Sequence, residues 1–480
     1  MTMPPHRIAV SILFALFILA NGAYLHRVPG LLGDEASEGH NVFELLTADH
    51  ITIQGERSYI GAGSDYARIP FVGLFGYSAL ALRVPVFLVS LAMFWVTWSV
   101  LRQLLGTEIA LFPLVFALFS PAYLTYQRLG WAITLLPFFV VLTLWFLLQR
   151  SPHAPLLAGL SLGAGLSTHI LFLASIPTLL LSWIVRQVKT PRTIVSWWPA
   201  VVGFWAGFGT QFVILLTSKE DQGNPRAVAS LFWPHFKNLK TVLLDVLSGS
   251  SYVASYTGTE FSPQAMRIIV GVLAVLAVVA LFASARKGAA WAWLMGLAIH
   301  LTTLTVLMEH FSPRYFVVFV LGAWTLAGAG AGILLIRLSR RFPRLSAWLS
   351  VIIAVLLIFA TAETTLLPFL RTGGSTNDFS VGKRTNSAAA FVDTRPLVAC
   401  LRGLGPGTSE NIHIRNRLQY LALRTPDLEL ARERKNAQWS TMYRTAKTPG
   451  RSDERCPELS HFIVFPGGAA SGEEKKELTH

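Results

Sequence analysis

Long apolar runs recur along most of this sequence, and each is close to the roughly 20 residues that an α-helix needs to cross a bilayer. They lie at residues 8–24, 82–101, 109–126, 131–148, 156–168, 170–185, 197–217, 266–283, 290–308, 315–336 and 347–367. Of the 480 residues, 53% are hydrophobic and only 14% are charged, which is far from the composition of a soluble domain. The sequence predicts an all-α polytopic membrane protein with about eleven transmembrane helices.

Residues 156–185 admit two interpretations, one long helix or two short helices joined near His169. The distribution of Lys and Arg favours two, because cytoplasmic loops carry the excess of these residues and a single helix would invert every later loop. With the N-terminus inside, every dense basic cluster between spans falls on the inner side. These inner residues are Arg7, Arg102, Arg150, Arg186, Lys189, Arg192, Arg286, Lys287, Arg337, Arg340, Arg341 and Arg344. The pattern predicts a cytoplasmic N-terminus and an extracytoplasmic C-terminal region.

The net charge of +14 does not indicate nucleic acid, because the positive-inside pattern explains most of the inner basic residues without it. The only two cysteines, Cys400 and Cys456, both fall in the region placed outside. A disulfide in an oxidising compartment and two unpaired thiols both remain open.

Polar segments divide the chain into regions. Residues 1–370 form the membrane domain, which includes a first extracytoplasmic loop at 27–77. A linker at 371–385 leads to a small soluble α/β domain at 386–468, and the tail at 469–480 has a disordered composition. In the soluble domain the pattern predicts strands at 411–414 and 461–465 and a helical stretch at 418–423.

The first outer loop is expected to fold, because its residues 34–46 have the pattern of a helix lying in the membrane interface. Apolar residues cluster on one side of that helix, while Glu38 and Glu44 can face water. A second piece at 69–75 opens with Pro70 and closes with Gly76, and returns the chain to the membrane.

Asp34 and Glu35 stand just beyond the first apolar run, in the interfacial water. Carboxylates favour helix N-termini, so the pair can simply cap the interfacial helix. Carboxylates at a membrane face can also act on a lipid-borne substrate. The membrane layout favours a catalytic role for Asp34, and Glu35 fits either interpretation.

Four stretches carry a family resemblance: GDEASEGHNVFELL from Gly33, LFGYSALALRVPVFL from Leu74, YQRLGWAITLLPFFVVLTLWFL from Tyr126 and HFSPRYFVVFVLG from His310. In this order they resemble the GT-C glycosyltransferases, in particular the branch of protein O-mannosyltransferases and lipid A aminoarabinose transferases. The resemblance implies a GT-C fold in a plasma (inner) membrane and a polyprenyl-phosphate sugar as donor.

Carried over to this sequence, the resemblance implies catalytic roles for Asp34 and Glu35. It places Arg83, Arg128 and Arg314 near the lipid phosphate. A non-catalytic alternative for Arg83 and Arg314 is that their side chains extend to lipid head groups at the ends of the spans. Many relatives have a second acid in the turn that here reads QRLGW from residue 127, so this chain departs from the pattern there.

Transfer of a sugar from a polyprenyl phosphate needs a base for the acceptor hydroxyl and cations for the departing phosphate. The expected function is such a transfer, with inversion, to a protein, lipid or glycan acceptor at the extracytoplasmic face. The expected partners are this donor, this acceptor and membrane lipids, without nucleic acid. No cofactor is identified, and a divalent metal bound by Glu309 and His310 together with His40 or Asp34 stays open.

Two rival functions are a transporter or flippase for polyprenyl-linked glycans and a non-catalytic membrane scaffold. A transporter with a proton relay should carry ionisable residues within its spans. Glu363 is the only acid deep in an apolar run, which argues against a relay.

Overall fold

The computed structural model describes residues 5–26, 33–47, 53, 55, 59–76, 78–189, 194–217, 239–252, 261–283, 287–307, 313–341, 400, 410–414, 443–445 and 462–466. Up to residue 341 this part of the chain is almost entirely helical. The α-helices named below are α1 Pro5–Gly22, α2 Gly33–Thr47, α3 Gly63–Phe75, α4 Ala79–Leu105, α5 Thr107–Leu118, α6 Pro121–Tyr126, α7 Leu136–Leu148, α8 Ala154–Thr168, α9 Ile176–Lys189, α10 Trp198–Thr217, α11 Pro263–Ala283, α12 Lys287–Leu307 and α13 Val317–Arg341. Short 3-10 helices at Ala132–Leu135, Ile170–Ser175, Ile194–Trp197 and Pro313–Phe316 precede α7, α9, α10 and α13.

The predicted spans coincide with these helices. Within the described residues, six helical segments are long and apolar enough to cross a membrane, and four shorter ones are apolar. Together they cover ten of the eleven predicted runs, and the run at 347–367 lies outside the described residues. The helical structure is interrupted at His169, where α8 ends and the backbone becomes extended before the next 3-10 helix. The two-helix interpretation of residues 156–185 therefore agrees with the structure.

Helix α13 runs through the centre of the bundle and is buried along most of its length. Its glycines allow close approach of neighbouring helices, as small residues do in membrane proteins. A Cβ added at Gly330 would lie 1.8 Å from the carbonyl oxygen of Leu276 in α11, and one at Gly328 would lie 2.6 Å from Cα of Pro113 in α5. These contacts fix α5 and α11 on either side of α13.

The first outer loop contains two helices, as predicted, but the second starts earlier. Helix α3 begins at Gly63, so Pro70 lies inside it rather than at its start, and it ends before Gly76 as expected. Asp65 in the first turn favours a helix N-terminus at this point, and its pairing with Arg68 at i,i+3 supports the extra turns.

The C-terminal region contributes three described strands, β1 Glu410–Ile414, β2 Tyr443–Thr445 and β3 Phe462–Pro466. Their order is β2-β1-β3, with β1 parallel to β2 and antiparallel to β3. Strands β1 and β3 overlap the two predicted strands, while β2 was not predicted. The predicted helical stretch at 418–423 lies outside the described residues. Cys400 is disulfide-bonded.

Candidate active site

Helix α2 carries the acidic pair of the first outer loop. Asp34 lies in its first turn, and its side chain lies outside the described part of the structure. Glu35 is fully buried and faces α4. The structure therefore places the pair at the start of an ordered helix, as the sequence predicts.

Glu35 forms a two-pronged ion pair with Arg83 near the start of α4. The Nη2 and Nε atoms of Arg83 donate to the two carboxylate oxygens at 2.7 and 2.9 Å, and both side chains are 0% exposed. The third nitrogen, Nη1, donates to the carbonyl oxygen of Leu25 at 3.0 Å, just after α1. Such charge-assisted pairs hold their two elements in a fixed orientation. Arg83 thus joins α2, α4 and the end of α1.

A second buried ionic cluster lies one turn further along α2. Arg68 of α3 pairs with Glu38, and its Nη1 donates to Asp65 at 2.6 Å, with all three side chains buried. Asn41 donates to the other oxygen of Asp65 at 2.6 Å. The prediction that Glu38 faces water is wrong, because the charge of Arg68 and a backbone donor from the neighbouring turn compensate its burial. Glu44 is exposed, as predicted.

The pKa of Arg68 reflects this environment. Burial lowers it, but the charges of Glu38 and Asp65 raise it further, so that it ends above its usual value. Arg68 is therefore a permanent cation between two carboxylates.

Both clusters converge on the turn between α6 and α7, which contains Arg128, Gly130 and Trp131. The N–H group of Gly130 donates to Glu35, and its carbonyl oxygen accepts from Nη2 of Arg68 at 3.0 Å. The N–H group of Ala132 donates to Glu38 at 2.8 Å. Helix α2 is thus bound to this turn through Glu35 and Glu38, which lie one helical turn apart on the same face of α2.

Only glycine fits at position 130 of this turn. A Cβ there would lie 2.6 Å from the backbone carbonyl carbon and oxygen of Leu82, one residue before Arg83. The turn and the start of α4 therefore touch backbone to backbone.

The side chain of Arg128 points away from the two acidic clusters and towards the end of α1. Its Nη1 and Nη2 donate to the carbonyl oxygens of Ala20 and Ala23. The last carbonyl groups of a helix have no partners within the helix, and α1 has no basic residue of its own in its last turn. Arg128 therefore holds the end of α1 against the turn.

Arg314, in the 3-10 helix before α13, contacts the same turn through Trp131. Its guanidinium carbon lies 4.7 Å from the ring centroid of Trp131 and 5.0 Å from that of Tyr315. Nη2 donates to the Tyr315 hydroxyl at 3.2 Å. The cation is partly buried, and the two aromatic rings position its guanidinium.

His169 joins the first loop to the break between α8 and α9. Its Nδ1 accepts from the N–H group of Leu171 at 3.1 Å, and its ring meets Tyr59 edge-on at 5.4 Å between centroids. Burial and, to a smaller extent, the charge of Arg314 lower the pKa of His169 to about 3. His169 is therefore a neutral residue at the break between two helices, where the two-helix interpretation of the sequence places it.

The structure thus brings Glu35 and Arg83 into direct contact. Arg128 lies in the turn that binds Glu35, and Arg314 contacts Trp131 of the same turn. Sequence reasoning missed Asp65 and Arg68. Their i,i+3 spacing in an otherwise apolar stretch was the available signal. Among the described residues, no group of three or more His, Cys, Asp or Glu side chains is placed to hold a metal ion. Glu309 and His310 lie outside the described residues.

The helical bundle and the buried outer-loop helices define a multi-pass membrane protein with the fold of the GT-C glycosyltransferases. Residues 66–212 match the family model described as dolichyl-phosphate-mannose-protein mannosyltransferase. The GT-C resemblance predicted from the sequence is confirmed. No curated protein sequence shows significant similarity to this chain.

Solved structures with a similar fold include ArnT from Cupriavidus metallidurans bound to undecaprenyl phosphate, at 14% identity and a TM-score of 0.55. The apo state of the same protein matches at 15% identity and a TM-score of 0.51. In both cases the match covers 93% of this chain and 86% of the other. The oligosaccharyltransferase AglB from Archaeoglobus fulgidus, in complex with an inhibitory peptide and a dolichol-phosphate, matches at 13% identity and a TM-score of 0.43, over 77% of this chain and 56% of the other.

Proposed function

We propose that this protein is an integral membrane glycosyltransferase that moves a sugar from a polyprenyl-phosphate carrier to an acceptor at the extracytoplasmic face, with inversion. The observation that carries the proposal is the attachment of α2 to the turn between α6 and α7 by Glu35 and Glu38. This attachment holds the turn of α2 that contains Asp34 beside a turn whose Trp131 also contacts Arg314. The ArnT structure with undecaprenyl phosphate supports a carrier of this chemical class.

In this proposal Asp34 is the general base that takes the proton of the acceptor hydroxyl. The hydroxyl oxygen attacks the anomeric carbon as the bond to the carrier phosphate breaks, and the phosphate leaves with the bonding electrons. A single displacement of this kind inverts the anomeric centre. Glu35 has a supporting role, because its two oxygens are bound by Arg83 and Gly130.

The three arginines have different roles in this proposal. Arg83 and Arg128 hold α1, α2 and α4 around the turn through contacts with Glu35 and backbone carbonyls. Arg314 is the cation proposed to stabilise charge on the leaving phosphate, since a planar guanidinium matches phosphate oxygens. Replacing Arg314 with Lys keeps the charge and should retain part of the activity, whereas Arg314→Gln should lower kcat/KM further.

The test of the function is transfer by the purified protein in vesicles that contain a radiolabelled polyprenyl-phosphate hexose and candidate acceptors. Asp34→Asn should lower the rate by about 10²–10⁴-fold, the usual range for loss of general-base catalysis. Glu44→Gln is the matched control, because Glu44 is an exposed acid on the same helix. Unchanged transfer by Asp34→Asn, with the fold intact, would remove Asp34 from the mechanism. A retained anomeric configuration in the product would reject the single displacement.

We also propose the topology that the charge pattern predicts, with a cytoplasmic N-terminus and the 386–468 domain outside. Arg337, Arg340 and Arg341 at the end of α13 support it, because basic residues gather on the cytoplasmic side. Tags at the two termini, probed in intact and permeabilised cells, test it. A C-terminal tag accessible only from the cytoplasm would contradict it.

A further inference from the structure

A cavity with a volume of about 320 Å³ lies between α4, α7, α9, α12 and α13. One end of this cavity is remote from the candidate active site. Arg83 of the active-site region and Gln103 at the cavity both belong to α4, 20 residues apart, which corresponds to about 30 Å along a helix axis. This distance is about the thickness of the hydrocarbon core, so the cavity reaches the opposite membrane face.

The wall of the cavity is apolar along most of its length. Val140, Leu144 and Leu147 of α7 face Leu297 of α12 and Val318 of α13. Water has few partners along such a wall, and an empty cavity forfeits the dispersion contacts of its lining. A hydrocarbon chain is the occupant that fits this part.

A polar stripe along α9 marks one side of the cavity. Thr178, Ser182 and Arg186 follow one another at intervals of four residues and therefore share a helix face. Arg186 lies at the end near Gln103, where Nη2 donates to the carbonyl oxygen of Gln149 at 3.2 Å. The cavity thus has an apolar body and a cationic end at a membrane face.

The other end of the cavity contains Ser175 and His300, and it includes Val318 near the start of α13. His300 is 4% exposed, and its Nδ1 lies 3.4 Å from the hydroxyl oxygen of Ser175. Its Nε2 is buried and has no hydrogen-bond partner among the described residues. A buried polar atom of this kind is ordinarily paired, and a single water beyond the end of a chain would pair it. An occupant that fills the cavity would extend from Arg186 towards Ser175. These residues are 11 apart along α9 and the turn before it, which corresponds to about 16 Å at a helix rise of 1.5 Å per residue.

We propose that this cavity binds one acyl chain of an anionic phospholipid whose phosphate contacts Arg186. Basic pockets between transmembrane helices bind anionic head groups, and anionic lipids are concentrated in the cytoplasmic leaflet. That leaflet is the one that the proposed topology places at Arg186. The site holds a structural lipid at the face opposite the sugar transfer, and it does not depend on the glycosyltransferase activity.

Native mass spectrometry of the purified, delipidated protein tests the proposal, with phosphatidylglycerol compared with phosphatidylcholine of the same chains. Phosphatidylglycerol should bind more tightly than phosphatidylcholine. Arg186→Gln should weaken the binding of phosphatidylglycerol about fivefold, which is the effect of one basic residue near a membrane surface. Arg102→Gln is the matched control, because Arg102 is exposed at the same end of α4 and does not line the cavity. Equal binding of the two lipids, or no effect of Arg186→Gln, would overturn the proposal.

A second pair of variants separates a lipid chain from a free anion. Ala292→Phe fills the cavity from α12 and should abolish retention of the lipid, while Met295→Phe, on the exposed side of α12, should not. Ser182→Leu fills the same space from α9 and replaces Ala292→Phe if that variant does not fold. Displacement of the lipid by inorganic phosphate alone, or retention in both filled variants, would show that the cavity holds no acyl chain.

Discussion

Glu35 and Arg83 are 48 residues apart in the sequence and form a fully buried ion pair that joins the first outer-loop helix to the start of α4. Removal of one partner from a buried pair leaves a charge without compensation, which costs about 3–5 kcal/mol. Because the pair also anchors Leu25 and Gly130, its loss should loosen the whole region around the turn.

Arg83→Met is therefore expected to lower the free energy of unfolding by about 3–5 kcal/mol, and the double variant Glu35→Leu with Arg83→Met should lose less than the single variant. Thermal unfolding in detergent measures both. Arg102→Met, at an exposed arginine of the same helix, is the control and should change stability by no more than about 0.5 kcal/mol. A double variant less stable than Arg83→Met would show that apolar replacement does not relieve the uncompensated charge.

Arg68 is predicted to be irreplaceable by Lys. Its planar fork reaches Glu38, Asp65 and the carbonyl oxygen of Gly130 at once, whereas the donors of a lysine diverge from a single atom. Arg68→Lys should lower the free energy of unfolding by about 1–3 kcal/mol.

Hydrogen exchange of the amides in α2 measures the consequence for the site, because α2 is held to α3 through Arg68. Exchange should accelerate in α2 of the Arg68→Lys protein and stay unchanged in α8. The same substitution at Arg102 should leave both helices unaffected. Unaltered protection of α2 would mean that Glu38 and its backbone contact with Ala132 hold this helix alone.

The transmembrane part of the fold was predictable because the bilayer acts as a solvent with a fixed thickness. Runs such as 197–217 and 266–283 are apolar along nearly their whole length, and no tertiary information is needed to recognise them. The break at His169 was recognisable from the loop charges alone. The extent of α3 was not predictable, since Pro70 is typical of a helix start and yet this helix continues through it.

The candidate site was only partly predictable. The sequence indicated that Asp34 and Glu35 begin an ordered helix, but burial of Glu38 depends on Arg68 and on the N–H group of Ala132, which is 94 residues away. Pairings over such distances leave no local pattern in a sequence. Arg83 and Arg128 were expected to contact phosphate, and this role stays a prediction. The structure shows in addition that both hold the end of α1.

Gly130 should tolerate no side chain. The Cβ of Gly130→Ala would lie 2.6 Å from the backbone of Leu82, and a backbone neighbour cannot rotate away as a side chain can. The expected loss is about 1–3 kcal/mol of stability, typical of overpacking. Gly73→Ala is the control, because nothing lies within 4 Å of a Cβ there and alanine favours a helix. Equal melting temperatures for Gly130→Ala and the wild type would refute the close approach.

His169 should make the protein sensitive to mild acid. Because burial and Arg314 lower its pKa from 6.5 to about 3 in the folded state, the unfolded chain binds more protons than the folded chain between these two values. The stability due to the neutral ring is complete above pH 6.5 and is lost as the pH falls, by about 1.4 kcal/mol per pH unit between pH 6 and pH 4. His169→Asn does not titrate, and its side-chain oxygen can still accept from the N–H group of Leu171. Chemical unfolding in detergent at several pH values should therefore give a shallower pH dependence for the variant than for the wild type. Other titrating groups contribute equally to both proteins, so parallel curves would show that His169 is already protonated, or exposed, in the folded protein.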